Sequence, residues 1–202
     1  QILALPADQL ARRSGFRLNG IVVNAAPFAQ TLRRKAVEFF GDGIIHECYG
    51  CTEVGIATAL APELVADKVG SVGPAIRGTE IAVRREDRSA ADPDEIGDVW
   101  VKSPTLFNGY CRNETATDEA LDGPWLLTGD MGAMDQDGFL SIMDRRKDMV
   151  ISGGINIYPR EIEEVLLRHD SVAEAAVVGV PDEKWGECLA AVIVPRPGKT
   201  AT

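Results

Sequence analysis

The stretch "DRRKDMVISGGINIYPREIEE", residues 144–164, divides the chain into two parts. It begins with five charged residues, continues with a short apolar run, and reaches Ser152-Gly153-Gly154 before a proline that starts an acidic helix. Charged, solvated residues between two folded units are typical of a hinge. A solvated hairpin between two strands is the alternative, but it explains neither the glycine turn nor the helix that follows.

Upstream of this stretch, the pattern predicts a parallel α/β sheet. "FRLNGIVVNAAP" (16–27) contains a buried strand at Ile21–Val23, "QTLRRKAVEFF" (30–40) has apolar residues at helical spacing, and "GIIHECYG" (43–50) is a second strand. Ligands of such sheets bind beyond the carboxyl ends of the strands. Residues 24–27 and 49–53 both lie at such ends and are candidate binding segments.

From Gly70 onwards the sequence favours an antiparallel sheet or small barrel. Short alternating strands are predicted in "GTEIAVRRE" (78–86), "GDVWVKS" (97–103) and "GFLSIMD" (138–144). One short helix, "TATDEAL" (115–121), interrupts them, with Thr115 or Thr117 as its expected cap.

After Asp148 we expect a small α+β unit. Its predicted elements are a strand "MVIS" (149–152), a Gly-Gly turn, a helix from about Pro159 to Arg168, and strands "EAAVVGV" (174–180) and "ECLAAVIV" (187–194). The polar tail "PRPGKTAT" has no partner element after it, so we expect this unit to be truncated.

Composition excludes several classes of partner. The formal net charge of −10 would repel nucleic acid and anionic membranes. No apolar run approaches the roughly 20 residues of a membrane span, and we expect a cytoplasmic protein. Four scattered cysteines do not suggest a disulfide framework. The C-x-x-C of Cys48 and Cys51 could serve zinc or redox chemistry, but a structural zinc site needs a second pair, so we expect reduced thiols.

The stretch "YGCTE" (49–53) carries side chains suited to a nucleotide. The Tyr49 ring can stack on a planar ligand, the Thr52 hydroxyl can donate to a phosphate oxygen, and Glu53 can hold Mg²⁺. The alternative is an ordinary strand end followed by a helix that Thr52 caps.

A second candidate is Asp130 in "LLTGDMG" (126–132). A carboxylate after a tight Thr128-Gly129 turn can accept hydrogen bonds from the two hydroxyls of a ribose. It could instead satisfy only nearby backbone N–H groups, as turn aspartates often do.

The joint order of these stretches resembles the adenylate-forming superfamily of acyl-CoA synthetases, luciferases and peptide-synthetase adenylation domains. "NAAP" (24–27) is similar to the adenine loop G-G-A-P, with Asn24 and Ala25 in place of the glycines, and "YGCTE" to Y-G-x-T-E. "IGDVWVKSPTLFNGY" (96–110) resembles the signature G-E-L-x-V-x-G-P-x-x-F-x-G-Y, with Asp98 for glutamate. "TGD" and residues 144–163 resemble the ribose and hinge motifs in their acyl-CoA ligase form.

The resemblance implies a chemistry: a carboxylic acid and ATP·Mg²⁺ form an acyl-adenylate, and a smaller domain then rotates so that CoA attacks it. It also implies roles for individual residues. Those expected at ATP or AMP are Asn24, Ala25, Ala26, Pro27, Glu47, Cys48, Tyr49, Gly50, Thr52, Asp130 and Arg145. Glu53 would serve Mg²⁺, Lys147 would be the hinge, and Ser152, Gly153 and Gly154 would line the path of CoA. His46 to Cys48 would border the acyl pocket.

The implied fold class is α/β: the end of a large adenylation domain, then a truncated small α+β domain. Residues 1–145 would complete the large domain, with an α/β part to about residue 69 and an antiparallel β sub-barrel over 70–145. Residues 146–202 would begin the small domain. The family's phosphate loop and late catalytic lysine are not found, and Lys199 does not match the latter, so we expect a fragment that is inactive alone.

Three functions stay open at this point. An acyl-CoA ligase is favoured, with a fatty acid preferred to an aromatic acid on motif style only. An adenylation domain that loads a carrier protein would differ only in the source of the thiol. A non-catalytic nucleotide-binding module would bind adenylate without pyrophosphate exchange.

Overall fold

The computed structural model describes residues 18–24, 28, 30–41, 43–65 and 67–199. Its first sheet has three strands in the order β1-β2-β3, where β1 is parallel to β2 and β2 is antiparallel to β3. The bounds are β1 Ile21–Val23, β2 Ile45–Cys51 and β3 Gly55–Leu60, with helix α1 Gln30–Phe40 between β1 and β2. The predicted strand, helix and parallel strand are confirmed, but β1 is not buried as expected, since Val22 is 64% exposed.

Strand β2 returns directly into β3 through the turn 51–55, so no helix follows "YGCTE" and Thr52 caps none. Gly50 permits this hairpin because a Cβ at that position would lie 1.8 Å from the Gly55 carbonyl oxygen. Only a residue without a side chain allows such a close backbone approach. The hairpin therefore projects Thr52 and Glu53 beyond the end of β2.

The second sheet follows the order β4-β9-β8-β6-β5, with β7 added beside β8, and every pairing in it is antiparallel. The bounds are β4 Ser71–Gly73, β5 Glu80–Arg84, β6 Gly97–Lys102, β7 Leu121–Asp122, β8 Trp125–Met134 and β9 Leu140–Arg145. The predicted α/β class with an antiparallel β-rich part is confirmed.

A shared core joins the first two sheets. Val99, Leu126 and Leu140 of the second sheet are at most 1% exposed, and they cluster with Val54 and Ala57 beside and within β3. Each buried valine or leucine stabilises the fold by roughly 1.5–3 kcal/mol. This core fixes the position of the β2–β3 turn relative to the ends of β8 and β9.

The helix α2 spans Glu114–Ala120, and the threonine caps predicted for it are wrong. Asn113 Oδ1 accepts a hydrogen bond from the Ala116 N–H at 3.1 Å. Thr117 lies within the helix, where its hydroxyl donates to the Asn113 carbonyl and accepts from the Tyr110 N–H. An asparagine is as good a cap as serine or aspartate, and it stands at the correct position here.

The third sheet has the order β11-β10-β13-β12, and all its pairings are antiparallel. Its elements are β10 Val150–Ser152, β11 Ile155–Ile157, helix α3 Pro159–Leu166, β12 Val172–Asp182 and β13 Gly186–Pro195. Helix α3 ends two residues before the predicted Arg168, because the Arg168 and His169 N–H groups bond to carbonyls only three residues earlier.

Polar contacts connect the third sheet to the second. At the start of α3, the Arg160 backbone N–H donates to Asp144 Oδ2 at 3.1 Å, and its Nη1 donates to the Ile142 carbonyl at 3.0 Å. The segment between the sheets is a 3-10 turn, Arg146–Asp148. The domain boundary and hinge near Lys147 stay predictions. Among the described residues, no helix is both long and apolar enough to cross a membrane.

Candidate active site

A cleft of about 1000 Å³ opens where the β2–β3 turn faces the ends of β8 and β9. Residues from three distant parts of the sequence meet there because the shared core aligns these strands. The sequence-predicted residues that line the cleft are Asn24, Gly50, Thr52, Glu53, Asp130, Arg145 and Lys147. The fold thus brings together five of the eleven residues expected at ATP or AMP, together with the expected metal ligand Glu53 and the expected hinge residue Lys147.

Tyr49 lies beside this cleft, and its hydroxyl donates a hydrogen bond of 2.6 Å to Asp130 Oδ2. Burial, and then the nearby Asp130 carboxylate, raise the pKa of the Tyr49 phenol, so it remains a donor. Burial also raises the pKa of Asp130, against the opposing effects of the Tyr49 hydrogen bond and Arg145. The side chain expected to stack on adenine is therefore hydrogen-bonded directly to the carboxylate expected to bind the ribose.

The sequence suggested that Asp130 follows a tight turn, but Asp130 lies within a strand. Strand β8 is continuous from Trp125 to Met134, and residues 128–130 form an irregularity in its pairing with β6. Thr128 Oγ1 donates to the Val99 carbonyl at 2.9 Å and accepts from the Asp130 N–H at 3.2 Å. The bulge leaves Asp130 opposite Arg145 of β9.

Positive charge lines one side of the cleft. Arg145 Nε lies 3.7 Å from Asp130 Oδ1, and Arg146 and Lys147 follow it along the same wall. Arg146 is ion-paired to the buried carboxylate of Asp98 and lies 3.2 Å from Glu86 Oε1. The Arg145 guanidinium is mostly exposed and can reach an anion in the cleft.

Glu53 supplies a negative charge to the same cleft. Tyr110 donates to Glu53 Oε1 at 2.7 Å, and this hydrogen bond is the main cause that lowers the pKa of the Glu53 carboxyl. The same bond raises the pKa of Tyr110 to about 12. The pKa of the neighbouring Cys51 thiol is raised to about 11, first by burial and then by Glu53. At neutral pH the Glu53 carboxyl is therefore ionised, whereas the Tyr110 phenol and the Cys51 thiol are neutral.

The donor set at Glu53 fits a magnesium ion that arrives with a nucleotide. No group of three or more histidine, cysteine, aspartate or glutamate side chains that could hold a metal occurs in the described part of the chain. Mg²⁺ is commonly held by one or two carboxylates together with substrate phosphates. A single ionised carboxylate in a cleft of about 1000 Å³, which has room for a nucleotide, satisfies that requirement, whereas a zinc site would need more ligands.

Glu47 and Cys48 line a smaller adjoining cleft of about 190 Å³. The Glu47 carboxylate is engaged in a buried ion pair with Arg33 of α1, and burial lowers the pKa of that guanidinium. Burial raises the pKa of the Cys48 thiol. Cys48, Cys51, Cys111 and Cys188 are free thiols. The predicted residues Ala25, Ala26 and Pro27 lie outside the described residues.

The predicted CoA-path residues form the tight turn between β10 and β11 and do not line the nucleotide cleft in this structure. The Gly153 N–H donates to the Trp185 carbonyl at 2.9 Å. A Cβ on Gly153 would lie 2.7 Å from Trp185 Cε3, so the indole ring packs directly on this glycine. The absence of a side chain here makes room for a tryptophan.

Sequence reasoning missed three partners at this site: Tyr110 for Glu53, Asp98 for Arg146, and Trp185 for Gly153. Tyr110 and Asp98 both lie in the signature stretch 96–110, which matched the family without indicating a contact. Trp185 stands in a polar turn whose sequence gave no signal of the packing.

A sequence profile of AMP-binding enzymes matches residues 2–111, and a profile of the AMP-binding enzyme C-terminal domain matches residues 161–202. The chain belongs to the AMP-binding enzyme family. The predicted membership of the adenylate-forming superfamily is confirmed.

Two curated relatives of this chain are 2-succinylbenzoate–CoA ligases. The ligase of Geobacillus sp. (strain WCH70) is 43% identical over 160 residues, which are 78% of this chain and 32% of the relative. That of Geobacillus kaustophilus is 46% identical over 145 residues, 71% of this chain and 29% of the relative. The chain therefore spans about a third of the length of these relatives.

Solved structures of related enzymes superpose well on this chain. An amide bond synthetase from Marinactinospora thermotolerans has a TM-score of 0.85 at 35% identity, over 92% of this chain and 38% of the other. The O-succinylbenzoate coenzyme A synthetase of Bacillus subtilis, in complex with ATP and magnesium ion, has a TM-score of 0.81 at 33% identity, over 97% of this chain and 41% of the other. The acid named in these CoA ligases is aromatic, so the sequence-based preference for a fatty acid is not supported.

Proposed function

We propose that the complete protein is an AMP-forming acid–thiol ligase that activates an aromatic carboxylic acid and transfers it to CoA. One observation carries this proposal: a single cleft combines the ionised Glu53, Asp130 and the cation Arg145, and Tyr49 beside the cleft donates a hydrogen bond to Asp130. That set matches the adenosine, phosphate and metal portions of ATP. Family membership and the CoA ligase names of relatives at 43% and 46% identity support the same function.

In the first half-reaction, a carboxylate oxygen of the acid attacks the α-phosphorus of ATP, the bond to the bridging oxygen breaks, and pyrophosphate leaves. Both reactants are anions, so the site must supply positive charge where negative charge accumulates. Arg145 provides it at the nucleotide, while Thr52 can donate a hydrogen bond to a phosphate oxygen.

Asp130 has the position and charge to accept hydrogen bonds from the ribose hydroxyls, and Tyr49 fixes one of its oxygens in advance. The other oxygen, Oδ1, faces Arg145. Glu53 would hold Mg²⁺, which supplies charge stabilisation on the phosphates when bound. The predicted nucleotide contacts of Asn24, Gly50 and Cys48 belong to this same proposal.

In the second half-reaction, the CoA thiol attacks the acyl carbon, AMP leaves with the electron pair of the broken bond, and the thiol proton is released. We infer that residues 146–202 rotate about Lys147 between the two steps and bring the Ser152–Gly154 turn to the thiol. The exposed 3-10 turn at Arg146–Asp148, between two separate sheets, supports a hinge at this position.

The aromatic acid rests on the names of the curated relatives, which act on 2-succinylbenzoate. The structural match to an amide bond synthetase favours a second candidate, in which an amine and not a thiol accepts the acyl group. CoA is preferred because CoA ligases account for the curated relatives described above, at higher identity.

The test is carboxylate-dependent ATP–pyrophosphate exchange by the complete protein, with aryl acids compared with short-chain and long-chain fatty acids. Exchange with aryl acids, followed by AMP release that depends on CoA, would support the proposal. AMP release with an amine but not with CoA would favour the amide-forming candidate. Release that requires a pantetheinylated carrier protein would indicate a carrier-loading domain. ATP binding without any exchange would indicate a non-catalytic module.

A further inference from the structure

The segment 103–110, which follows β6, holds Glu53 at two points. The Phe107 N–H donates to the main-chain carbonyl of Glu53 at 2.8 Å, and the Tyr110 hydroxyl donates to its Oε1 at 2.7 Å. Thr105 Oγ1 adds a hydrogen bond of 2.8 Å to the carbonyl of the next residue, Val54. Backbone and carboxylate of Glu53 are therefore fixed by the same short stretch.

Tyr110 is itself held in place. Its ring contacts Phe107 in an edge arrangement, with centroids 4.8 Å apart, and its N–H donates to Thr117 Oγ1 at 2.9 Å. Thr117 is fixed in turn by its hydrogen bond to the Asn113 carbonyl. The position of Tyr110 is therefore fixed, and Glu53 is the only partner of its hydroxyl among the described residues.

Burial does not account for this hydrogen bond. Tyr110 is 40% exposed, so water could satisfy its hydroxyl if Glu53 were absent. A glutamate side chain loses considerable rotamer freedom when it is fixed, and a contact made before the ligand arrives removes that cost from binding. Mg²⁺ demands near-ideal octahedral geometry, so the position of a ligating oxygen matters more than it would for a larger cation.

We propose that Tyr110 is a positioning residue that orients the Glu53 carboxylate toward the metal ion of the ATP complex. Tyr110 donates to Oε1 of Glu53, and Glu53 itself lines the cleft. A hydrogen bond to a metal-ligating side chain orients that side chain and tunes the affinity of the site for the metal. This is the role of the Tyr110 hydroxyl. The inference rests on the proposed function for the role of Glu53 as the Mg²⁺ ligand and for ATP as the nucleotide.

The test compares Tyr110→Phe with the wild-type complete protein, since this change removes only the hydroxyl. Tyr158→Phe, the same change at the start of α3, is the matched control. ATP binding is measured by calorimetry with Mg²⁺ and with chelator, AMP binding is measured without metal, and the Mg²⁺ dependence of exchange is recorded. We expect Tyr110→Phe to reduce the gain in ATP affinity from Mg²⁺ by roughly tenfold, the lower end of outer-shell effects, with AMP affinity and thermal midpoint unchanged.

Unchanged Mg²⁺ dependence in Tyr110→Phe overturns the positioning role. Equal losses of AMP affinity and thermal stability also overturn it, since they indicate a structural role. These outcomes are separable from failure of the proposed function, which would show as an absence of exchange in the wild-type protein. The binding measurement still tests Tyr110 in that case, because it requires ATP and Mg²⁺ but no catalysis.

Discussion

Tyr49 and Asp130 share a 2.6 Å hydrogen bond although 81 residues separate them in the sequence. The bond joins the end of the first sheet to the bulge of β8, and it places a donor on a carboxylate whose pKa burial has raised. Burial disfavours the ionised form of Asp130, whereas a bound ribose would form stronger hydrogen bonds with that ionised form. The site thus holds a group that costs stability and serves binding.

The first prediction concerns Asp130→Asn in the complete protein. An amide oxygen still accepts the Tyr49 hydrogen bond, but the negative charge is lost, so AMP affinity should fall by about 1.5–3 kcal/mol. Because burial raises the pKa of Asp130, the folded state is favoured while this carboxyl is protonated. That contribution to stability is present at low pH and is lost as the pH rises through the raised pKa. The variant should therefore have a higher thermal midpoint than wild type at neutral pH, and the difference should vanish in acid.

Calorimetric AMP binding and thermal unfolding at several pH values check this prediction. Tyr49→Phe is the matched control, because it keeps the carboxylate and removes its donor. Equal AMP affinity for Asp130→Asn and wild type would contradict the assignment of Asp130 to the ribose.

The second prediction concerns the buried pair of Arg33 and Glu47. Glu47→Ala leaves a buried guanidinium without its partner, so the free energy of unfolding should fall by about 3–5 kcal/mol. The double variant Arg33→Met/Glu47→Leu should recover most of that loss, because apolar groups of similar size avoid the desolvation penalty.

Urea denaturation of the complete protein checks the stabilities, and AMP binding by the double variant separates the two roles of Glu47. Normal AMP affinity in a stable double variant would show that the carboxylate is structural. Weakened affinity would support its sequence-based assignment to the nucleotide.

The local sequence pattern was sufficient to predict the bounds of elements whose apolar residues recur at a regular spacing. Helix α1 and strand β1 have the predicted bounds because their apolar spacing is governed by their own residues. The cap at Asn113 was missed because several capping residues compete within a few positions, and geometry decides among them. The β2–β3 hairpin was missed because it depends on the close backbone approach of Gly55 to Gly50 and on the positive φ of Gly55, +75°, neither of which the apolar spacing indicates.

For the site, motif order predicted which residues would meet but not how they are held. Glu53, Asp130 and Arg145 line one cleft as expected. Their partners Tyr110 and Tyr49 are set by tertiary contacts across 57 and 81 residues, which no spacing rule reveals. Glu47 shows the converse, since its pairing with Arg33 gives it a structural partner that the motif did not imply.

The third prediction concerns Gly153→Ala. A methyl group there would collide with the Trp185 ring, and φ is +57°, a conformation that disfavours a side chain by about 1–2 kcal/mol. The change should displace the indole and slow thioester formation while adenylation persists. Gly154→Ala is the control, because it has a similar φ of +82° but nothing within 4 Å of the added carbon.

Single-turnover assays of each half-reaction, together with thermal midpoints, check the pair. Both variants should lose similar stability from backbone strain, and only Gly153→Ala should lose additional thioester formation. Equal rates of thioester formation in the two variants would show that the packing of Trp185 on Gly153 plays no part in the CoA step.

The fourth prediction concerns Lys147→Pro at the proposed hinge. Proline fixes φ near −65° and restricts the residue before it, so the 3-10 turn at Arg146–Asp148 would lose the freedom that a domain rotation needs. Adenylation should remain close to wild type, because the cleft already forms in this arrangement, whereas thioester formation should be strongly reduced. Lys147→Ala is the control, since it removes the same charge but leaves the backbone free.

Pre-steady-state measurement of pyrophosphate release and of CoA-dependent AMP release checks the fourth prediction. If Lys147→Ala impairs thioester formation as much as Lys147→Pro, the charge of Lys147 is responsible and the hinge must lie elsewhere. If both half-reactions fail together in the proline variant alone, the turn supports the nucleotide cleft itself and the rotation is not located at this residue.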